Sequence, residues 1–329
     1  MERPFDVVTI GHAIVDVLAP SPDDLPAKYG MEKGTMTLID EAQAHDLYQV
    51  IGPAVESSGG SAANTAVGIA SLGGSASFMG KVRDDALGEI FIHDIRAAGV
   101  SFEVAPAPDG PATGLCVVMV HHDAQRTMAT HLGAGGWLLA EDIDAEACRD
   151  AQITYLEGYL VGRKEVEKTV SKAAAACHSE GGRFALSLSD PYWVDLQAGA
   201  LGAVLDEVDI LFGNEDEVTA MTGADLEGAI SELAKRCQIV AVTRGAKGSL
   251  VVAGDSVIEV PAHPVDNVVD TTGAGDLFAA GFLYGLTHGF EPVACAELGS
   301  LAAGEVITHL GARPQTSLRA LGLEAGMLS

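Results

Sequence analysis

Apolar segments of two kinds alternate along most of this chain, and that alternation limits the folds it can adopt. From about residue 55 onward, helical patterns such as Ser61–Leu72 are separated by short, mostly apolar strand-like runs such as 76–82 and 238–243. A strand that is apolar on both faces must be covered on both faces, which is typical of parallel sheets in α/β proteins. The sequence therefore predicts a three-layer αβα sandwich with a mostly parallel central sheet, in a single domain at 1–329.

Two regions interrupt this alternation. Residues 34–40 form an isolated β-like stretch, and a later region forms two strands, 115–121 and 126–130, joined by a turn at 122–125. Together they can build a small separate sheet, whose natural place is over the ligand edge of the main sheet. We therefore expect a small β lid. Its segments are expected at approximately 17–50 and 101–135.

The net charge argues against two classes of partner. The 329 residues include 19 Lys and Arg against 46 Asp and Glu, which gives a formal net charge of −27. Such a surface repels nucleic-acid backbones and anionic membranes, although backbone N–H groups can still bind a small anion locally. The five cysteines include no C-x-x-C pair, and the chain shows neither a signal segment nor a bilayer-spanning apolar run. We expect a cytoplasmic protein with reduced cysteines and no nucleic-acid or membrane partner.

The most specific motif is a glycine-rich turn that leads into a helix. Residues 270–276 read Asp-Thr-Thr-Gly-Ala-Gly-Asp, and an apolar helix follows them. Unpaired N–H groups and the helix dipole make such a turn an anion site, most often for phosphate. Asp276 would repel a phosphate, so it fits best as a base for an attacking hydroxyl, while the amides hold the transferred charge. We expect the helix dipole to lower the basicity of this carboxylate.

Two other phosphate-binding motifs fail on spacing. A Walker loop around Lys81 needs glycine where Ser75 stands, and Ser or Thr where Val82 stands. A dinucleotide fingerprint that starts at Gly273 needs another glycine at the position of Phe278. The absence of this fingerprint also argues against an NAD-dependent oxidoreductase.

Two motifs resemble the signatures of the ribokinase-like (PfkB) family of carbohydrate and purine kinases. The segment 270–276 with its helix resembles the C-terminal signature. Four pieces of sequence resemble the N-terminal signature: 59–64 (GGSAAN), 72–74 (LGG), 80–82 (GKV) and the pair Asp85 and Gly88. The two motifs lie about 210 residues apart, and the resemblance covers nearly the whole chain. It implies a ribokinase-like fold and ATP-dependent transfer of phosphate to a hydroxymethyl group.

The resemblance implies roles for the residues at the phosphate. Asp276 matches the catalytic base that activates the acceptor hydroxyl. Gly273, Ala274 and Gly275 match the anion hole over the transferred phosphoryl group. Arg126, at the start of the second lid strand, resembles an arginine that reaches the same phosphate.

The resemblance also implies acceptor contacts near the N-terminus. Asp16, which we place at the end of the first strand, matches a carboxylate that holds acceptor hydroxyl groups. Gly60, Ser61 and Asn64 match further contacts with the acceptor. Gly59 and Gly60 match the hinge on which the lid closes.

For the nucleotide, the resemblance implies ATP and Mg²⁺, with a monovalent cation as an additional option. Asn214 and Glu217 resemble an N-x-x-E motif that orders magnesium and phosphate, and three-residue spacing on a helix puts both side chains on one face. Glu217 is expected to reach the metal through water. Thr243, Gly245 and Gly248 resemble the loop that binds the ATP phosphates.

The acceptor is less constrained by the sequence. The N-terminal arm, 25–40, resembles that of adenosine kinase and related bacterial enzymes, so adenosine is the leading acceptor. A purine base needs a flat apolar slot, for which the candidates are Met36, Leu38, Leu132 and Tyr159. A sugar kinase acting on ribose, fructose or a keto-deoxy sugar is the alternative, and a non-catalytic nucleoside or sugar sensor is the alternative from another class. The protein is expected to be a monomer or a homodimer.

Overall fold

The computed structural model describes residues 3–122, 125–163, 165–254 and 256–329. These residues form thirteen strands and twelve α-helices. The strands are β1 Phe5–Ile10, β2 Ile14–Pro20, β3 Met36–Leu38, β4 Val55–Gly59, β5 Ala76–Met79, β6 Gly114–Val120, β7 Arg126–His131, β8 Ala151–Glu157, β9 Arg183–Ser187, β10 Ile210–Asn214, β11 Ile239–Thr243, β12 Ser249–Ala253 and β13 Ser256–Val260. The helices are α1 Leu25–Lys28, α2 Glu41–Val50, α3 Ser61–Leu72, α4 Ala86–Ala97, α5 Ala145–Asp150, α6 Val166–Ser179, α7 Pro191–Val204, α8 Glu215–Thr222, α9 Leu226–Leu233, α10 Ala274–Thr287, α11 Pro292–Val306 and α12 Leu318–Glu324.

Eight of these strands form the central sheet, in the order β13-β12-β11-β10-β9-β8-β1-β5. The six strands from β11 to β5 run parallel to their neighbours, and β12 and β13 add an antiparallel edge. Their carboxyl ends therefore meet at one edge, where ligands of open α/β sheets bind. The predicted mostly parallel sheet is confirmed.

Helices cover both faces of the central sheet. On β1, Val7 packs with the side chains of α3, α10 and α11, whereas the next residue, Val8, packs with those of α5 to α9. On β8, Tyr155 likewise packs with the first set of helices and Leu156 with the second. Because successive strand residues point to opposite faces, both sets must be apolar, and this explains the continuous apolar runs in the sequence.

The remaining five strands form a second sheet, in the order β3-β7-β6-β2-β4. One of its faces, which includes Val17, Val117 and Met119, packs against Ala44 and Leu47 of α2 and joins the larger core. The strands β3, β6 and β7 correspond to the stretches expected to form a small β lid. The residues Asp123 and Ala124 of the predicted turn between β6 and β7 lie outside the described residues.

Two strands differ from the expectation. The first strand ends at Ile10, and the chain leaves the central sheet through Gly11 to begin β2 of the second sheet at Ile14. The break is only three residues long, which is why the sequence from β1 to β2 resembles one continuous apolar strand. Asp16 therefore lies within β2, and its predicted place at the end of the first strand is wrong.

The helix α3 and the cysteines agree with the predictions. Ser61–Leu72 has the predicted bounds, and it ends at Gly73, whose φ of 94° is the left-handed conformation typical of a helix C-terminus. All five cysteines are free and buried. Within the described part of the chain, every helix falls short of the length and apolar character that a membrane crossing requires.

Candidate active site

The carboxyl edge of the central sheet brings together residues that are far apart in the sequence. Five of them lie at or just after the ends of parallel strands: His12 at β1, Glu157 at β8, Ser189 at β9, Asn214 at β10 and Thr243 at β11. The N-termini of α3 and α10 reach the same edge, since Ser61 and Asp276 are in contact there. This edge is the candidate active site.

The glycine turn at the start of α10 has the geometry of an anion site. Gly273 precedes the helix with a φ of 81°, and a Cβ on it would lie 2.7 Å from the Cβ of Ala312. A Cβ on Gly275 would meet no heavy atom within 4 Å, so the space beside it is open. The amide of Ala274 donates to the Thr271 carbonyl, whereas helix geometry leaves the amides of Gly275 and Asp276 without an intrahelical acceptor. The open side of the turn therefore presents free N–H groups.

Asp276 is held by the N-terminus of α3. Ser61 Oγ donates to its Oδ1 at 2.6 Å, and Asn64 Nδ2 donates to its Oδ2 at 2.9 Å. The Oδ1 atom of Asn64 is buried and accepts no hydrogen bond from any described residue. Gly60 allows this approach of α3, because its φ is 101° and a Cβ there would lie 2.2 Å from the His12 carbonyl oxygen. Asp276 thus has a fixed orientation at the mouth of the anion site.

The basicity of Asp276 differs from the expectation. Burial raises its pKa to about 6, while the hydrogen bonds from Ser61 and Asn64 act in the opposite direction. The predicted lowering of its basicity is therefore wrong in sign, because the loss of water around the buried carboxylate outweighs the hydrogen bonds that stabilise its charge. The carboxylate is still mostly ionised at neutral pH, and it is a stronger base than an exposed aspartate.

Asp16 enters the site from the second sheet. A Cβ on Gly59 would lie 2.2 Å from Asp16 Oδ2, so glycine is required where β4 passes this carboxylate. Burial raises the pKa of Asp16 to about 7; the charge of Arg313 lowers it and the charge of Asp276 raises it. Asp16 and Asp276 are therefore close enough to influence each other.

Arg126 connects the second sheet to the glycine turn. Its guanidinium forms an ion pair with Asp270, and Nη1 donates to Thr272 Oγ1 at 2.8 Å. Asp270 is also held by the amides of Thr272 and Gly311, at 2.7 and 2.8 Å. The Nε of Arg126 is buried with no acceptor among the described residues. The arginine is therefore beside the anion site and not a solvated hairpin side chain.

The predicted nucleotide residues gather at the ends of β10 and β11. Asn214 and Thr243 are direct neighbours on these parallel strands. Asn214 caps α8 by accepting from the Glu217 amide at 2.8 Å, and its own N–H and Nδ2 donate to the two Glu217 oxygens at 2.9 and 2.7 Å. Gly245 is open to solvent, and Gly248 has a φ of 85° that brings it against the Val260 carbonyl. The loop after β11 is thus adjacent to the Asn214–Glu217 pair.

Glu217 is the candidate for a contact with metal. Burial raises its pKa to about 7; its hydrogen bond with the Asn214 backbone lowers it, and the charges of Asp190 and Asp276 raise it. The residues that the structure describes contain no group of three or more His, Cys, Asp or Glu side chains that could hold a metal ion. A single carboxylate such as Glu217 fits an ion such as Mg²⁺, which keeps several of its waters and is bound by few carboxylates together with substrate phosphates.

The second sheet presents an apolar face beside Asp16, which we call the acceptor face. It is defined by a small cluster: Ile14, Leu18, Cys116, Val118, Val120, Met128 and Leu132. Met36 pairs with Met128 and Leu38 with Thr130, and both are unusually exposed for their type, at 41% and 50%. Since paired residues share a face of a sheet, the acceptor face extends to Met36 and Leu38.

Tyr159 lies on the central-sheet side and not on the acceptor face. Its hydroxyl donates to the Ser189 carbonyl at 3.3 Å, and its ring lies 6.3 Å from that of Trp193. Burial raises its pKa, and so do the charges of Asp190, Asp276 and Glu157. Tyr159 is therefore within electrostatic reach of the proposed base.

Two features of the site were not predicted from the sequence. Glu157 accepts hydrogen bonds from the amides of His12 and Ala62 at 2.8 and 2.9 Å, and it pairs with the His12 ring. A glutamate at the end of an apolar run is a signal that could have identified it. Arg313, which follows α11, offers no such signal, because its partner Ser58 is 255 residues away.

The fold and the site together define a class of protein. A carboxylate at a glycine-rich helix start, on the carboxyl edge of a parallel sheet and facing a second β-sheet, is the arrangement of a small-molecule kinase of the ribokinase-like fold. The chain matches the pfkB family carbohydrate kinase model over residues 6–318, and it belongs to this family.

Solved structures and curated relatives agree with this assignment. The adenosine kinase from Sinorhizobium meliloti is 44% identical, with a TM-score of 0.91 over 98% of this chain and 99% of that one. A probable sugar kinase from Rhizobium etli CFN 42 is 42% identical, with a TM-score of 0.93 over 99% of this chain and 100% of that one. A 5-dehydro-2-deoxygluconokinase from Shouchella clausii is 26% identical over 93% of this chain and 90% of its own. The protein is therefore a kinase of the sugar and nucleoside type.

Proposed function

We propose that this kinase transfers the γ-phosphate of ATP to a hydroxymethyl group of a nucleoside, with adenosine as the leading acceptor. The observation that carries the proposal is Asp276, which is oriented by Ser61 and Asn64 at the open side of the glycine turn. The acceptor face beside Asp16 favours a nucleoside over a sugar, because a purine base supplies a flat apolar surface and a sugar does not.

The base function of Asp276 follows from its surroundings. With a pKa of about 6 it is ionised at neutral pH, and it can take the hydroxyl proton as the oxygen attacks phosphorus. The O–H bond breaks as the new O–P bond forms, and the proton remains on the carboxylate. At the same time the bond between the γ-phosphorus and its bridging oxygen breaks, and ADP leaves with that oxygen. Ser61 and Asn64 fix which oxygen faces the acceptor, and the unpartnered Oδ1 of Asn64 can accept from a second acceptor hydroxyl.

Charge on the transferred group is met by the chain on two sides. The free amides at Gly275 and Asp276 face it from the helix start, and the guanidinium of Arg126 faces it from the second sheet. When bound, a magnesium ion neutralises phosphate charge, and Glu217 together with Asn214 would hold it through water. Thr243, Gly245 and Gly248 would hold the remaining nucleotide phosphates on the adjacent loop.

The acceptor would bind between the two sheets. Asp16 can accept hydrogen bonds from a pair of adjacent hydroxyl groups, as on a ribose. The side chains of Met36, Leu38 and Leu132 would cover the base from the acceptor face, while Tyr159 stands on the central-sheet side. Enclosure between the sheets excludes water and so suppresses ATP hydrolysis.

The experiment that tests this proposal is ADP release from ATP and Mg²⁺ with a panel of acceptors. The panel contains adenosine, other ribonucleosides, ribose, fructose and a keto-deoxy sugar. We expect the highest kcat/KM with adenosine. Turnover with sugars alone would contradict the nucleoside assignment, and ATP hydrolysis that is independent of every acceptor would contradict the transfer itself.

A further inference from the structure

Arg313 is a basic group inside the candidate acceptor site to which none of the sequence motifs assigns a role. Its Nη2 donates to Ser58 Oγ at 2.9 Å. The amide and the hydroxyl of Ser58 both donate to Asp94 Oδ2, at 2.7 and 2.5 Å. Ser58 immediately precedes the Gly59-Gly60 turn that leads from the second sheet into α3. Arg313 thus contacts the chain where the two sheets are joined.

Three carboxylates influence this guanidinium. Burial lowers the pKa of Arg313 to about 10, while the charges of Asp94, Asp16 and Asp276 raise it. In turn, Arg313 is the group that counteracts the effects of burial and of Asp276 on Asp16. From β6, Asp16 is faced by Cys116, a buried thiol whose pKa is raised by burial and by the Asp16 charge. Arg313 is therefore a positive group that acts on Asp16.

The net charge of this cluster bears on what can bind. When Asp16 is ionised, three carboxylates and one guanidinium leave two negative charges in a space largely shielded from water, so a further anion would be repelled. A neutral molecule with adjacent hydroxyl groups would instead donate hydrogen bonds to an ionised Asp16. The Nε of Arg313 is buried and has no acceptor among the described residues, so one guanidinium donor is left for a ligand oxygen.

We propose that Arg313 is a positioning residue for the acceptor: it favours the ionised form of Asp16, so that the site selects neutral acceptors with adjacent hydroxyl groups over sugar acids. This inference rests on the proposed function, since it concerns the same acceptor site. It goes further by naming the group that sets the charge requirement of the acceptor.

The test compares Arg313→Gln and Arg313→Lys with the unmodified protein over pH 5.5 to 9. We expect Arg313→Gln to raise KM for the acceptor by about tenfold at pH 7, with a smaller change in kcat, because a neighbouring charge shifts a carboxyl pKa by about one unit or more. In the pH profile of kcat/KM, the fall on the acid side, the acid limb, should move to higher pH by about one unit. The difference in kcat/KM between the variant and the unmodified protein should be smaller at pH 9. Arg313→Lys should restore the position of the limb.

A matched control is Arg319→Gln, which removes an exposed arginine on α12 and should leave KM and the acid limb unchanged. If Arg313→Gln instead lowers kcat/KM by the same factor at every pH, or if Arg313→Lys fails to restore the limb, Arg313 has only a structural role. Thermal unfolding of each variant checks that it is folded at the assay temperature.

A second measurement needs no variant. The unmodified protein is assayed with a neutral ketose, such as fructose, and with an acid, such as 5-dehydro-2-deoxygluconate, besides adenosine. Turnover of neutral acceptors with little or no turnover of the acid supports the inference, whereas comparable or better turnover of the acid overturns it. If a neutral sugar replaces adenosine as the best acceptor, the nucleoside assignment fails, but the Arg313 test can be run on that sugar and stands independently.

Discussion

The two sheets of this molecule use the same alternation of side chains for different purposes. In the central sheet both faces are packed, as Val7 and Val8 show, and the candidate catalytic residues lie at the edge where the strands end. In the second sheet one face is packed against the core and the other carries Asp16, Arg126 and exposed apolar residues. A substitution of a buried apolar residue in the central sheet should therefore change stability, whereas under the proposed function a substitution on the acceptor face should change ligand binding.

The largest effect is expected at the edge of the central-sheet layer, with Asp276→Asn. The amide cannot accept the hydroxyl proton, so we expect kcat to fall by about 10³-fold or more, while acceptor binding and folding persist. ADP release, isothermal titration with the acceptor and thermal unfolding measure the three quantities. Asp195→Asn, an exposed change on α7, is the control. Near-normal turnover of Asp276→Asn would refute the assigned role.

The pH dependence of the unmodified enzyme should depend on both sheets, because Asp276 lies at the edge of the central sheet and Asp16 lies on the second sheet. Asp276 has a pKa of about 6 and Asp16 a pKa of about 7, and the proposed roles require the ionised form of each. We expect kcat/KM to fall below pH 7, by about tenfold or more per unit once both groups protonate. A profile of kcat/KM at several pH values from 5 to 8 measures this, and a flat profile is incompatible with these roles.

The sequence predicted the central sheet better than the second one, for a physical reason. The helix Ser61–Leu72 is bounded by glycines at both ends, and buried parallel strands leave continuous apolar runs. The strand Ile14–Pro20 was not separated from the first strand, because only three residues intervene. Contacts such as Arg313 with Ser58 depend on how distant segments pack, and no local pattern encodes them.

A matched pair on one strand sharpens the comparison between the two faces of the second sheet. Val117 is fully buried in the larger core, and Val118 lies on the acceptor face. We expect Val117→Ala to lower the free energy of unfolding by about 1–3 kcal/mol with KM unchanged. Val118→Ala should cost less stability and raise KM for adenosine by about three- to tenfold, with little change for fructose.

Urea unfolding and steady-state kinetics of the two valine variants provide the measurements. Because the substitutions are chemically identical and adjacent, the difference between them depends only on which face each residue occupies. Equal loss of stability together with equal KM values would show that the acceptor face is ordinary core and does not contact the acceptor.

The smallest effect concerns the stability of the protein without ligand. Burial raises the folded pKa of Asp16 to about 7, well above the value near 3.9 expected in the unfolded chain. A group with a raised folded pKa stabilises the protein most below its unfolded pKa, and this stabilisation is lost as the pH rises to 7. Asp16→Asn removes the buried charge, so we expect its gain in Tm to grow from pH 4 to pH 7 and then to level off.

At pH 8 this gain should be about 2–4 °C, while acceptor binding becomes weaker because the amide is a poorer partner for two hydroxyl groups. Thermal unfolding at several pH values measures the gain, and Asp195→Asn should show none. A loss of Tm at pH 8 would mean that the attraction between Asp16 and Arg313 outweighs the cost of burying the charge. In that case the carboxylate stabilises the second sheet as well as binding the acceptor. The two faces of that sheet, one for stability and one for ligand binding, would then differ less at Asp16 than along the rest of β2.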